Sequence, residues 1–228
     1  IPFLIPFLLI MAIGPKLDWI KNKKFDAKLS KIILLIISII ISYLIAKNFN
    51  TQVLYSTVLI SSALYLLFIS ITDLRNEKLK LSQKISHISF SILIISIIFN
   101  SLLSEEVSVN LKKGEEKKLS NYLLKFENIS KMEINNYTSL KAEIHVIQND
   151  NKLKFYPELR LYKVPETITS EADIKTNLFT DNLVVVNYLK DNDYLNIRYQ
   201  KKPFMLLIWL SAIMLALGGL LGLRKSIG

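Results

Sequence analysis

Two histidines are the strongest metal ligands and general bases this sequence offers, because it contains no cysteine. Disulfide frameworks, thiolate nucleophiles and Cys-ligated zinc or iron–sulfur sites are therefore excluded. His87 stands in QKISHISFSILIISIIFN, residues 83–100, at the mouth of an uncharged apolar run, while His145 lies in the strand-like stretch KAEIHVIQ. No Ser/His/Asp order, phosphate-binding glycine loop or metal-ligand spacing is present. The acids Glu171, Asp173 and Asp181 cluster in TSEADIKTNLFTD, and Glu105 and Glu106 directly follow the apolar run. Nothing in the sequence sets these carboxylates about a cleft, and solvated loops or a helix N-terminus account for them.

His87 leaves two readings open. An ionisable group near a membrane helix is a functional candidate, because burying it in hydrocarbon costs several kcal/mol unless a partner, metal or water compensates. Near the end of such a helix, however, an imidazole can simply be wet. Ser86, Ser89, Leu93, Ser96 and Asn100 recur at three- and four-residue spacing. They make a small, polar stripe of the kind that lets another helix approach closely, so His87 is expected to face protein. In that position a neutral imidazole can ligate haem iron, with a second axial ligand from another helix. No other apolar segment of the chain carries a histidine. His145, alone on a strand, reads as a surface or edge residue.

The elements that carry these groups are legible from hydropathy. Half of the 228 residues are hydrophobic, and the mean hydropathy is +0.33, as in a polytopic membrane protein. Apolar segments occupy 1–13, 32–46, 53–72, 85–103 and 203–223. A span needs about 17–25 apolar residues, so the last three qualify outright and 32–46 needs Lys31 and Lys47 to snorkel from its ends. The first segment reads as the end of a helix, and the chain as a C-terminal piece of a longer protein. Thirteen basic residues but only four acids lie outside 105–202. If all five segments cross, every one of those cations except Lys47 falls on one side, the cytoplasm by the positive-inside rule. The net charge of +10 is thus a topology signal rather than a nucleic-acid footprint. The cluster GPKLDWIKNKKFDAKLSK reads as a cytoplasmic loop that touches anionic lipid, with Trp19 as an interface anchor.

Residues 105–202 hold sixteen basic and fifteen acidic residues and are nearly neutral. VSVNL, YLLKFENI, SLKAEIHVIQ, KLKFYP, ELRLYKV, NLVVVNYL and DYLNIRYQ are short β-branched or aromatic runs separated by turns such as KKGE and QNDNK. They predict a small antiparallel barrel or sandwich of six to eight strands. A helical turn is expected around TSEADIKTNLF, with Thr169 or Ser170 as its N-cap. The fold class expected is thus membrane α-helical with an inserted small all-β extracytoplasmic domain. Its boundaries are 1–104 for the first helices and their basic loops, 105–202 for the β domain, and 203–228 for the last helix and a short tail.

The succession AIGPK, SHISFSILIISI, NYTSLKAE, FYPELRLY, TSEADIKTNLFTDNLVVV and IRYQKKPFMLLIWLSAIMLALGGLL resembles the C-terminal third of the CcmF-type cytochrome c haem lyases. Pro157, Glu158 and Arg160 carry it in the β domain. Arg198, Tyr199, Lys202, Pro203, Phe204, Trp209, Gly218 and Gly219 carry it at the exit helix. The resemblance implies a multi-pass bacterial inner-membrane enzyme that attaches haem to apocytochrome c, with 105–202 periplasmic and the C-terminus cytoplasmic. It implies that His87, usually seen in the family as an Ala-His-Leu-Gly run, is one axial ligand of a membrane b-type haem, haem b. The family's tryptophan-rich periplasmic segment, its flanking histidines for the substrate haem and the second haem b ligand match nothing in this chain. The fragment alone is therefore expected to be inactive and to need the N-terminal remainder of the lyase. The other partners implied are membrane lipid, a haem chaperone, thiol-handling maturation proteins and apocytochrome c. Tyr156, Glu158, Arg160 and Asp181 are candidate contacts for a partner or a haem propionate. A competing reading is a non-catalytic membrane scaffold or transporter subunit, in which His87 binds nothing.

Overall fold

A computed structural model describes residues 3–14, 29–49, 52–77, 79–149, 151–188 and 194–223. The basic stretch with Trp19, the tail cations Arg224 and Lys225, and Lys78 lie outside the described residues. The chain divides into two units, Ile1–Leu102 with Phe204–Gly228, and Leu103–Pro203.

The first unit is helical. Its elements are α1 (Leu4–Ile13), α2 (Leu29–Asn48), α3 (Val53–Asp73), α4 (Leu81–Leu103) and α5 (Met205–Leu223). All but α1 are long and apolar enough to cross a membrane, and the chain is a membrane protein. Helix α2 runs well beyond the apolar stretch 32–46, because backbone bonding in a bilayer must continue until the ends reach water. Its buried face is Ser38, Ser42 and Ala46, a small residue at every fourth position, which lets a neighbouring backbone come close. Leu8 and Ala12 of α1 pack with Ala63, Leu66 and Ile69 of α3, and Phe90 and Ile94 of α4 close over them. The Phe7 and Phe90 rings meet edge to face at 5.6 Å.

The second unit is an antiparallel β-sandwich. One sheet has the order β1 (Glu105–Leu111), β10 (Leu195–Pro203), β9 (Thr180–Tyr188), β8 (Asp173–Thr176). The other has β2 (Glu116–Leu119), β3 (Tyr122–Ile134), β4 (Tyr137–Gln148), β6 (Glu158–Lys163), β7 (Glu166–Glu171), with β5 (Asn151–Phe155) on β4. Strand β4 thus pairs along one edge with β3, and along the other first with β6 and then with β5. Pro157, which has no N–H to donate, sits at the break between β5 and β6, and its carbonyl accepts from Ala142 N at 3.0 Å.

Alternate residues of the two sheets interdigitate as one core. Leu124, Ile144, Phe155 and Leu159 meet Val184, Val186, Leu195 and Ile197, all buried. Each such side chain contributes about 1.5–3 kcal/mol by leaving water. The expected helical turn around TSEADIKTNLF is corrected: those residues form the end of β7, all of β8 and a tight loop. Ladder pairing of Glu158–Lys163 with Glu166–Glu171 outweighs the local capping signal of Thr169 and Ser170, which also fits a strand edge.

Candidate functional site

His87 is carried by the second turn of α4, a helix whose apolar body begins one residue later. The side chain is half-buried. Its turn is fixed by the neighbouring helix: a Cβ on Gly218 of α5 would meet Ser86 Oγ at 2.5 Å and the Ser86 backbone N at 3.0 Å. One turn on, a Cβ at Gly222 would be 3.8 Å from Ser82 Cβ. Small residues on both helices therefore set the closeness of this crossing. The serines act by size rather than as interhelical donors, since Ser89 Oγ donates to Ile85 O at 2.7 Å and Ser91 Oγ to Ile88 O at 2.8 Å. Ser89, Ser91 and Ser96 are buried, so the small-residue stripe of α4 faces protein. A cavity of about 310 Å³ opens among α1, α3 and α4 at the other half of α4, from Ile94 to Leu102, away from His87.

His145 is not the surface or edge residue its lone strand position suggested. It is 4% exposed, on β4 with partners on both sides, opposite Lys125 of β3 and Lys154 of β5. Its Nε2 lies 2.9 Å from Glu143 Oε1, and its Nδ1 lies 3.0 Å from Glu127 Oε1, off the line of a hydrogen bond. A β-bulge between Phe126 and Asn128 turns Glu127 toward this cluster. The Lys125 ammonium, 2.8 Å from Glu127 Oε1, holds that carboxyl below its usual range. With Glu143 of its own strand beside one ring nitrogen and Glu127 of β3 beside the other, His145 is a poor candidate for iron. His87, by contrast, stands half-buried on a helix long enough to cross a membrane.

Tyr156, Glu158 and Arg160 come together on the outer face of the β4–β6 sheet. Glu158 accepts from Ser139 Oγ and Arg160 Nε, each at 3.3 Å, and lies 3.9 Å from Lys141 Nζ. Arg160 also reaches Glu171 at 3.9 Å and stacks 5.2 Å from the Tyr137 ring centre. Tyr156 is exposed, its N–H donating to Asp173 Oδ2 at 2.7 Å, with Lys141 Nζ 5.6 Å from its ring centre. Asp181 is not with them. It lies on β9 in the other sheet, opposite Lys202 and Thr176, and its Oδ1 is buried without a hydrogen bond among the described residues.

A buried polar pair between the sheets was not anticipated from the sequence. Tyr122 donates to Glu105 Oε2 at 2.8 Å and Tyr199 to Asn182 Oδ1 at 2.8 Å, with the two rings 4.9 Å apart. Burial, reinforced by Glu105, raises the Tyr122 phenol far above its ordinary range and pushes Tyr199 up to about 12.

Residues 102–203 match the family described as CcmF C-terminal beta-sandwich. The chain is 26% identical over 228 residues to the cytochrome c-type biogenesis protein CcmF of Escherichia coli (strain K12), covering 96% of this chain and 35% of that protein. It is 29% identical over 140 residues to CcmF of Pseudomonas aeruginosa, covering 61% of this chain and 21% of that protein. The chain thus spans about a third or less of the length of these curated relatives. A solved structure, cytochrome c heme lyase CcmF, shares the fold with a TM-score of 0.75 at 14% identity, over 96% of this chain and 38% of that one. Sandwich, helices and relatives agree: residues 102–203 carry the CcmF C-terminal β-sandwich, and nearly the whole chain is similar to the C-terminal portion of the CcmF cytochrome c-type biogenesis proteins.

Proposed function

We propose that this chain supplies the C-terminal part of a haem lyase that attaches haem covalently to apocytochrome c, acting together with the N-terminal remainder of that enzyme. The observation that carries this reading is the match to CcmF proteins along nearly the whole chain, which includes the α4 turn bearing His87. In this reading the cations outside 105–202, Lys47 excepted, mark the cytoplasmic face of a bacterial inner membrane, and the β-sandwich stands in the periplasm. The sandwich there docks the haem chaperone, the thiol-handling proteins and apocytochrome c.

His87 would hold the iron of a b-type haem through a neutral imidazole nitrogen, with the ligand pair completed from outside this chain. Such a haem, when bound, would pass electrons that keep the substrate haem iron reduced. Ser86 and Gly218 position His87 by holding α4 and α5 in close contact at the same turn. The Glu158–Arg160 network, with Tyr156 on its flank, orders the outer face of the sheet.

The test is spectral. Co-expressed with the remainder of the lyase, the wild-type chain is expected to show a low-spin b-type haem signal that His87→Ala abolishes or strongly reduces and His145→Ala retains. An unchanged signal in His87→Ala would remove the ligand role and favour a scaffold.

A further inference from the structure

The first sheet of the sandwich ends in an apolar hairpin tip at the place where the chain enters and leaves the domain. The β8–β9 ladder closes at the pair Thr176–Asp181, and the loop beyond it presents Leu178 and Phe179, 73% and 71% exposed. Loops of this length ordinarily use Asn, Gly or Asp, because their side chains remain in water. Two adjacent large apolar side chains there are costly unless something apolar receives them. The tip is ordered: Asn177 Oδ1 accepts from Phe179 N at 2.9 Å and from Thr180 N at 2.8 Å, and Asn177 N donates to Thr180 O at 3.0 Å. The side chains are therefore presented outward by a fixed turn.

Register says what lies beside them. Thr180 pairs with Pro203, the last residue of β10, and Lys201 pairs with Glu105, the first residue of β1. Two residues after Pro203 the apolar helix α5 begins, and two residues before Glu105 the apolar helix α4 ends. Both helices are long enough to cross a bilayer, so Pro203 is separated by only Phe204 from a segment of membrane-spanning length. The tip extends past the Thr180–Pro203 pair by one or two residues, about 3–7 Å at the rise of a strand. Around it Lys175 pairs with Asn182, Lys202 with Asp181, and Lys201 with Asn182 and Glu105, its Nζ 3.7 Å from Glu105 Oε1, while Lys175 Nζ lies 5.4 Å from the Phe155 ring centre.

We propose that the Leu178–Phe179 tip inserts into the headgroup region of the bilayer that α4 and α5 span, as a third attachment of the sandwich to the membrane. A large aromatic and a large aliphatic side chain beside lysines is the chemistry of an interfacial anchor. The proposal holds on whichever side of the membrane the sandwich stands, and so does not depend on the haem-lyase reading.

The chain lacks cysteine, so a single nitroxide can be attached at Phe179→Cys in the full chain reconstituted in nanodiscs containing phosphatidylglycerol. The expected result is collision of the label with oxygen, which concentrates in lipid, in excess of collision with a water-soluble nickel chelate. The same label at Leu178→Cys, equally exposed and so equally tolerant of substitution, is expected to give the same order. A label that collides mainly with the nickel chelate would place the tip in water and overturn the proposal. A label shielded from both reagents would mean that protein covers the tip, and would overturn it equally.

Discussion

Tyr199 is where the buried chemistry of the sandwich concentrates, and two outcomes follow at the scale of single residues. Tyr199→Phe leaves the buried Asn182 carboxamide oxygen without its 2.8 Å donor, a loss expected to cost about 1–3 kcal/mol and to lower the melting temperature read by tyrosine near-ultraviolet circular dichroism. Burial favours the neutral phenols of Tyr122 and Tyr199 in the fold. Their folded values lie above the unfolded value of 10.0, so their contribution is fully present below pH 10 and is lost as pH rises through about 12 for Tyr199. An ultraviolet titration of the folded chain is expected to show exposed tyrosines ionising first and a late class that loses one member in Tyr199→Phe. Early, single-phase ionisation of all tyrosines would contradict this. The histidines differ by the same logic of surroundings. The carboxylates of Glu127 and Glu143 occupy His145, whereas His87 stands half-buried on a membrane helix.

Among elements, the α4–α5 crossing makes the sharpest demand on sequence. Gly218→Val adds atoms where even a Cβ lies 2.5 Å from Ser86 Oγ, and overpacking of this kind is expected to cost about 1–3 kcal/mol. At Gly219 nothing lies within 4 Å of a Cβ, so Gly219→Ala is expected to be neutral or to stabilise α5 by up to about 1 kcal/mol through helix propensity. Thermal melting in detergent compares the two, and equal effects would remove the special role of the crossing. The α4 stripe that led to this contact was readable, because a three- and four-residue repeat of small side chains is local information. Its partner glycine was not, because α5 follows only after the whole sandwich. The same contrast explains the misread stretch 169–181. Thr169, Ser170 and the acids after them carry a helix-start pattern, but pairing with β6 on one side and β9 on the other decided for strands.

For the whole molecule, topology is the testable quantity. One membrane helix, α4, separates Glu77 from Val164 in the chain, so single cysteines at the two positions are expected on opposite sides. Under the proposed orientation, Val164→Cys reacts with an impermeant maleimide in intact spheroplasts, and Glu77→Cys reacts only after the membrane is opened. The reverse pattern would invert the assignment of the sandwich to the periplasm. Val164 suits the experiment because it is 91% exposed at a hairpin tip, where a label disturbs no packing.

From the sequence alone came the four spanning helices, the near-neutral β block between the last two, and the candidacy of His87. Hydropathy, alternation and charge placement act over a few residues and need no partner to be read. Tertiary structure alone decided the division of strands between two sheets, the burial of His145 between two glutamates, the Tyr122–Glu105 and Tyr199–Asn182 bonds, and the closeness of Gly218 to Ser86. Each of these depends on which distant segments share a register or a crossing. That choice is made by burying two faces against one another, and no single segment encodes it.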